Sequence, residues 1–345
     1  MPDRPRGPSI GIDAMGGDFA PRAEVDGAIQ ALAEEPGAFE VVLVGDVAVI
    51  EADLARHPGW RNLPIRLVHA PERIEMGDAA ALAARRKRNS SLVVATRLHK
   101  EGEIDALVSA GNTGAVVATS LFNLGRLEGV DRPAIAALFP VPNTQAGSVV
   151  LDVGANSDCK PIHLLQFAIM GTLFARHVLG VKRPRVGLLN IGEEATKGNE
   201  LAQEAYQLLS ATTEDIEFLG NVEGRDVFRG TADVVVCDGF TGNVVLKTAE
   251  SVAELLVTWL RRELKSDPVS LLGGLMSRAA FRRLRARMDY AEYGGAPLLG
   301  VNGVVIIAHG SSSSKAITNA IRTAAVAVTH QVNAHIRQEL KVAHG

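Results

Sequence analysis

Val108-Ser109-Ala110-Gly111-Asn112-Thr113-Gly114-Ala115-Val116-Val117-Ala118 joins a strand to a helix. Ile104 to Val108 is a short apolar run of strand composition, and Ala115 to Leu124 has helical composition. The glycines at the join let the backbone turn sharply and come close to a ligand. Asn and Thr cap a following helix, whose free N–H groups then attract anions. The same residues also serve packing at strand-to-helix turns, so this stretch alone leaves both readings open.

Working outward, the pattern repeats. Strands are expected at Ser9–Asp13, Phe39–Val44 and Ile65–Ala70, with helices at Ala23–Glu35, Val47–His57, Asp78–Arg88 and Leu92–Glu101. This βα alternation predicts a mainly parallel sheet covered by helices on both faces, a three-layer α/β/α fold. Ligands of such sheets sit beyond the carboxyl ends of the strands. Ala134–Phe139 and Ser148–Asp152 read as strands joined through Pro142-Asn143-Thr144, with an antiparallel hairpin plausible. Helices follow at Ile162–Val178 and Asn199–Ser210, and strands at Arg185–Asn190, Glu217–Leu219 and Ala232–Cys237. Val304–Ala308 is the last expected strand, before one closing helix to about Val342. No Pro/Gly/Ser linker separates domains, so 8–342 is expected to be one catalytic domain with a helical hairpin inserted at about 244–290.

Of the 345 residues, 47% are apolar but only 4% aromatic, so the core must be aliphatic. A net charge of -3 argues against nucleic acid as the main partner. Two cysteines, Cys159 and Cys237, exclude a disulfide framework and fit a reducing cytoplasm. Each is read as a small core residue, since neither has a local His partner. Met1 to Ser9 has no apolar run, so a signal peptide is not expected, nor is a membrane span. No metal motif and no Walker lysine loop occurs; metals and cofactors are expected to be absent.

Six turns share one composition: 13–18, 111–114, 154–158, 190–198, 238–243 and 309–315. Each follows an apolar strand and carries Gly with Asn, Asp, Ser, Thr or Lys. In a parallel sheet all six would face one edge. Glycine-exposed N–H groups, neutral donors and Lys197, Lys315 and Lys160 would there form a seat for an oxyanion such as phosphate.

These residues carry a resemblance. Ile-Asp-Ala-Met-Gly-Gly-Asp (12–18), Ser-Ala-Gly-Asn-Thr-Gly-Ala (109–115), Leu-Asp-Val-Gly-Ala-Asn (151–156), Asn-Ile-Gly-Glu-Glu-x-x-Lys-Gly (190–198), Gly-Asn-Val-Glu-Gly-Arg-Asp (220–226), Val-Cys-Asp-Gly-Phe-Thr-Gly-Asn (236–243) and Gly-Val-Asn-Gly-x-x-x-Ile-Ala-His-Gly (300–310) resemble the bacterial phosphate acyltransferase family, PlsX. The resemblance covers almost the whole chain. It implies transfer of a fatty acyl group from acyl-[acyl-carrier protein] to inorganic phosphate, giving acyl phosphate for phospholipid synthesis. It also implies an isocitrate-dehydrogenase-like fold, a cytoplasmic homodimer, and a downstream glycerol-3-phosphate acyltransferase as a partner.

Phosphate is already a nucleophile and a thiolate leaves readily, so positioning and charge stabilisation would carry the chemistry. Lys197 and Asn112 are expected to hold phosphate, and His309 to protonate the leaving thiolate or hold a substrate hydroxyl; packing at a strand end is the plain alternative for His309. Substrate contacts are expected from Asp13, Gly16, Gly17, Gly111, Thr113, Gly114, Asn156, Asn190, Gly242, Asn243 and Ser311. At least half of Asp13, Asp18, Asp158 and Asp238 are read as turn or cap residues, since carboxylates repel phosphate. Glu193 and Glu194 are candidates to position Lys197.

Val244–Leu264 reads as a long helix with an apolar stripe through Val245, Ala249, Val252, Leu256 and Trp259/Leu260. Between 261 and 288 lie eight cations, among them Arg278, Arg282 and Arg283, against two acids, a net +6 around the apolar Leu271-Leu272 tip. A peripheral membrane contact, the acidic carrier protein and a solvated, dimer-forming hairpin all fit this pattern. Arg85 to Arg88 is a second basic run, read as a solvated helix end with a phosphate or carrier contact open. Two rival functions remain at this point: an NAD(P)-dependent dehydrogenase on the same fold, and a non-catalytic membrane-associated scaffold. The first lacks a Gly-x-Gly-x-x-Gly turn; the second has no need of six polar turns.

Overall fold

Val41, Val42, Leu43 and Val44 are all fully buried, as expected of a strand covered on both faces. The computed structural model describes residues 7–142, 147–212, 216–288 and 294–342. In chain order the elements are β1 (Ser9–Asp13), α1 (Arg22–Glu34), β2 (Glu40–Gly45), α2 (Val47–Leu54), β3 (Ile65–His69), α3 (Ala80–Arg86), α4 (Ser91–Lys100), β4 (Ala106–Ser109), α5 (Thr113–Asn123), β5 (Ala134–Phe139) and β6 (Ser148–Leu151). Then come α6 (Pro161–His177), β7 (Arg185–Leu189), α7 (Glu200–Ala211), β8 (Glu217–Val222), α8 (Gly224–Arg229), β9 (Val234–Val236), α9 (Gly239–Glu263), α10 (Pro268–Met276), α11 (Arg278–Met288), β10 (Ala296–Leu299), β11 (Val304–Ile307), α12 (Ser314–Thr329) and α13 (Val332–Val342).

The strands form one sheet in the order β3-β2-β1-β4-β11-β10-β5-β6-β9-β7-β8. Side chains alternate between its faces. Val41 and Leu43 pack with Val25 of α1, Ile50 of α2 and Ile317 of α12, while Val42 and Val44 pack with Leu92 of α4 and Val116 of α5. At the other end Phe167 of α6, Leu209 of α7 and Ile336 of α13 cover one face. Val227 of α8 lies in the core of the other face, with Leu246 of α9 packed against it. Burying each such aliphatic side chain stabilises the fold by about 1.5–3 kcal/mol. The three-layer α/β/α reading therefore holds.

The sheet is mainly parallel, as expected, but its carboxyl ends do not all share one edge. Pairings are parallel from β3 to β11 and from β6 to β8, but antiparallel between β11 and β10, β10 and β5, and β5 and β6. Three reversals turn one half of the sheet against the other. The carboxyl ends of β1, β4 and β11 face one edge, and those of β6, β9 and β7 face the opposite edge. The six polar turns are thus divided three and three.

Smaller corrections follow from local chemistry. Asp238 accepts from the Thr241 N–H (2.9 Å), so the helix starts at Gly239 and takes the 239–243 turn into its first residues. The closing helix breaks at His330-Gln331, where Gln331 has φ 48°. β10 and α8 were not anticipated. The inserted segment holds α10 and α11 beyond α9 rather than a simple hairpin. The expected turn at Pro142-Asn143-Thr144 lies outside the described residues beyond Pro142.

Candidate active site

The edge formed by β1, β4 and β11 carries three interlocking loops. The Asp18 N–H donates to the Gly310 carbonyl (2.8 Å). The Ser109 hydroxyl donates to the Asp13 carboxylate (2.7 Å) and accepts from the Gly111 N–H (3.1 Å). A Cβ on Gly16 would stand 2.5 Å from Asp13 Oδ2 and 2.9 Å from the Gly111 nitrogen, so the loops close only over glycine. Asn112 caps α5: Oδ1 accepts from the Ala115 N–H (3.0 Å), and Nδ2 donates to the carbonyls of Met76 (2.9 Å) and Asp78 (3.3 Å). Its amide is already occupied. Thr113 and Gly114 are exposed at the start of α5. His309 Nδ1 accepts from the Ser311 N–H (3.2 Å), which leaves the ring hydrogen on Nε2 in the neutral form.

Two acids lie buried beneath these loops. Asp13 is 2% and Glu24 1% exposed, and Asp13 Oδ1 and both Glu24 oxygens lack a hydrogen-bond partner. Burial raises both pKa values, Glu24 to about 7, with the nearby Asp13 charge adding to the rise. Asp13 holds its turn from inside.

The opposite edge is organised by Asp152. Its Oδ1 accepts from the N–H groups of Ile135 (3.0 Å), Gly154 (3.1 Å) and Ala155 (3.0 Å), and Oδ2 from the N–H (2.7 Å) and amide (2.9 Å) of Asn156. The Asn156 amide also donates to the Pro133 carbonyl (2.7 Å). The amides expected to greet an oxyanion here are therefore taken by a carboxylate, and both Asn156 amide hydrogens are engaged. Gly242 allows close packing, since a Cβ there would meet the Asp152 carbonyl at 1.9 Å. Asn243 Nδ2 donates to the Val153 carbonyl (3.0 Å), and Asn190 Nδ2 to that of Lys197 (3.0 Å). The asparagines hold turns; the cations remain for an anion.

A cleft of about 610 Å³ opens at this edge between α5, residues 126–133 and the start of α6. Val117, Leu121, Ala155 and Ile162 form an apolar wall, with Arg126, Arg132, Lys160 and His163 around it. Arg132 and Lys160 are exposed and make no ion pair among the described residues. His163 Nδ1 accepts from the Lys160 N–H (3.1 Å), and burial lowers its pKa, so it is neutral with hydrogen on Nε2. Exposed Lys197 follows β7, two strands from β6, about 10 Å along the same edge at ~4.8 Å per strand. Glu193 pairs with Arg225 (3.6 Å) rather than with Lys197. Lys197 is thus grouped with Asn156, Asn190, Gly242 and Asn243. Asn112, His309, Ser311 and the glycines at 16, 17, 111 and 114 belong to the other edge, which α5 joins to the cleft through Val117 and Leu121.

A family model described as "Fatty acid synthesis protein" matches residues 9–335. A phosphate acyltransferase from Pelotomaculum thermopropionicum is 51% identical over 332 residues, covering 96% of this chain and 95% of the relative. One from Geobacter sulfurreducens is 52% identical, covering 96% and 94%. The chain belongs to the phosphate acyltransferase family. It is an acyltransferase enzyme, which sets aside the dehydrogenase and scaffold readings. The fold is also that of a phosphotransacetylase from Streptococcus pyogenes (TM-score 0.63, 16% identity, 94% of this chain and 95% of that one) and of the EutD phosphotransacetylase from Staphylococcus aureus (TM-score 0.60, 17%, 93% and 94%).

For this acyltransferase, reading the sequence missed Arg126, Arg132 and His163. Arg132 precedes strand β5 as Asp-Arg-Pro and joins Lys160 only through folding. Cys237 is a core residue as expected, while Cys159 is half-buried at the core's margin; burial pushes the Cys159 thiol up to about 12 and the Cys237 thiol well above its usual value, so neither is a ready nucleophile.

Proposed function

We propose that the reaction takes place along the cleft edge, with acyl-[acyl-carrier protein] as donor, inorganic phosphate as acceptor, and acyl phosphate and free carrier protein as products. The supporting observation is the pairing of an apolar wall with unpaired cations. Val117, Leu121 and Ile162 suit an acyl chain, while Arg132 and Lys160 of the lining suit phosphate, with exposed Lys197 following β7 on the same edge. A phosphate oxygen attacks the thioester carbonyl, and the new C–O bond places charge on the carbonyl oxygen. The neutral His163 Nε2–H is the donor offered to that oxyanion. Collapse breaks the C–S bond, and the carrier thiolate leaves and takes a proton from solvent. The test is acyl phosphate formation with Arg132→Ala and Lys197→Ala: each raises the phosphate KM or lowers kcat in a folded protein. Unchanged kinetics in both would remove Arg132 and Lys197 from the site.

The expectations for the other edge become a positioning proposal: Asn112, Thr113 and Gly114 fix the start of α5, whose Val117 and Leu121 form the cleft wall, and His309 and Ser311 shape the loop beside it. For the α9–α11 arm we propose two contacts. Val245 and Ala249 pack on the body, while Val252, Leu256 and Trp259 are exposed, which suits a second copy in a homodimer. Leu271, Leu272 and Met276 are exposed beside Arg278, Arg282 and Arg283, which suits the inner surface of an anionic membrane, where a glycerol-3-phosphate acyltransferase would take the product. The side chains of Arg285 and Arg287 fall outside the described residues. Among the described residues no helix is long and apolar enough to cross a membrane.

A further inference from the structure

The basic run at 85–88 has no part in the cleft as described, yet the fold carries it there. α3 lies beside α5 and runs in the same direction. Near the start of both helices, a Cβ on Gly114 would stand 3.0 Å from the Ala80 Cβ; near their ends, the Arg85 guanidinium lies 4.8 Å from the centre of the Phe122 ring. Phe122 adjoins Leu121 of the cleft wall, and Arg126 follows four residues later. The carboxyl ends of α3 and α5 thus meet at the cleft.

The charge on this surface is mainly positive, with exposed Glu72, which accepts from the Asn89 N–H (3.0 Å), as an acid at its margin. Arg85, Arg86 and Arg88 are exposed and make no ion pair among the described residues. Lys87 is satisfied by Asp78 (2.6 Å), and the nearby Glu75 by Arg73 (2.6 Å). No residue of α5 is charged. Amid the arginines, Leu82 and Phe122 are 48% and 47% exposed. Two apolar side chains ringed by unpaired guanidiniums are what an acidic, partly apolar helix surface needs on its partner.

We propose that α3 and the end of α5, through Leu82, Arg85, Arg86, Arg88 and Phe122, dock the acidic face of the acyl-carrier protein so that its thioester arm enters the adjoining cleft. This rests on the carrier protein being the acyl donor. Guanidiniums at the rim steer a negative partner and orient it, and the arm then needs to travel only past Leu121 to reach the apolar wall. The arginines themselves touch neither phosphate nor the reacting carbonyl.

The experiment compares the wild type with R85E/R86E on two donors, acyl-carrier protein and a short acyl-pantetheine thioester, each with phosphate. Reversing two exposed rim charges is expected to raise the KM for acyl-carrier protein at least tenfold and to flatten its dependence on ionic strength. The kcat, the phosphate KM and the kinetics with acyl-pantetheine stay within twofold, which also shows that the variant is folded. An unchanged KM for the carrier protein overturns the docking surface. Equal losses on both donors overturn it too, by placing the arginines in the reaction. Lost binding to anionic vesicles with intact carrier kinetics reassigns the surface to the membrane. Absence of any wild-type turnover with acyl-carrier protein defeats the donor assignment itself and is distinguishable from all of these.

Discussion

Replacing Glu24 with Gln should make the protein's stability less sensitive to pH, by an amount that follows from burial. Glu24 is 1% exposed, neither oxygen has a partner, and its pKa rises from 4.5 to about 7. The folded protein therefore binds more protons than the unfolded chain between these values. Stability falls as pH rises through that window and levels off above it. A rise of this size corresponds to about 3 kcal/mol, at 1.36 kcal/mol per pKa unit. Gln has nearly the shape of the protonated acid and cannot ionise. Urea unfolding of both proteins from pH 4.5 to pH 8 measures the effect; comparing them removes every other titrating group. The stability of Glu24→Gln relative to wild type should improve by about 3 kcal/mol across the range. Asp13 is pushed the same way and sits in both proteins, so it biases only the size. A difference that is flat with pH, or that favours wild type at pH 8, would refute the picture of a buried, unpartnered acid.

Other consequences are as direct. Asp152→Asn leaves two donors of Asn156 facing an NH2 group and should cost roughly 3–6 kcal/mol, two hydrogen bonds to a charged acceptor, read as a lower urea midpoint at unchanged slope. Lys197→Ala should lower kcat/KM for phosphate about tenfold to a hundredfold with the unfolding midpoint preserved; equal kinetics would take Lys197 out of the site. Leu271→Asp with Leu272→Asp should abolish flotation with anionic liposomes while phosphate-dependent turnover in solution persists; unchanged flotation would rule out the apolar tip.

The strands were legible because Val41–Val44 or Val234–Val236 are unbroken apolar runs, and only a strand buried on both faces needs that. The βα alternation also made the mainly parallel pairing legible, but not the reversal that turns one half of the sheet against the other. Polarity turns on β10, four residues including Pro297, too short to announce itself. The glycine-bearing turns were recognised by composition, but composition does not say who accepts their hydrogen bonds. Asp152 takes the amides of 154–156, an Asx-type turn that is local in sequence, whereas Met76 and Asp78 take the amide of Asn112, a partnership with no local signature. Arg132 and Lys160 stand far apart in the chain and face one cleft only after β5 and β6 pair. The family resemblance, by contrast, was carried by residues spread over the whole chain and needed no knowledge of which edge they occupy.

One assay bears on the central claim most directly: purified protein, acyl-carrier protein loaded with a fatty acyl group, and inorganic phosphate. Acyl phosphate should accumulate in step with free carrier thiol, and both should stop when phosphate is withheld. Release of carrier thiol at the same rate without phosphate, or no release with it, would contradict phosphate as the attacking group.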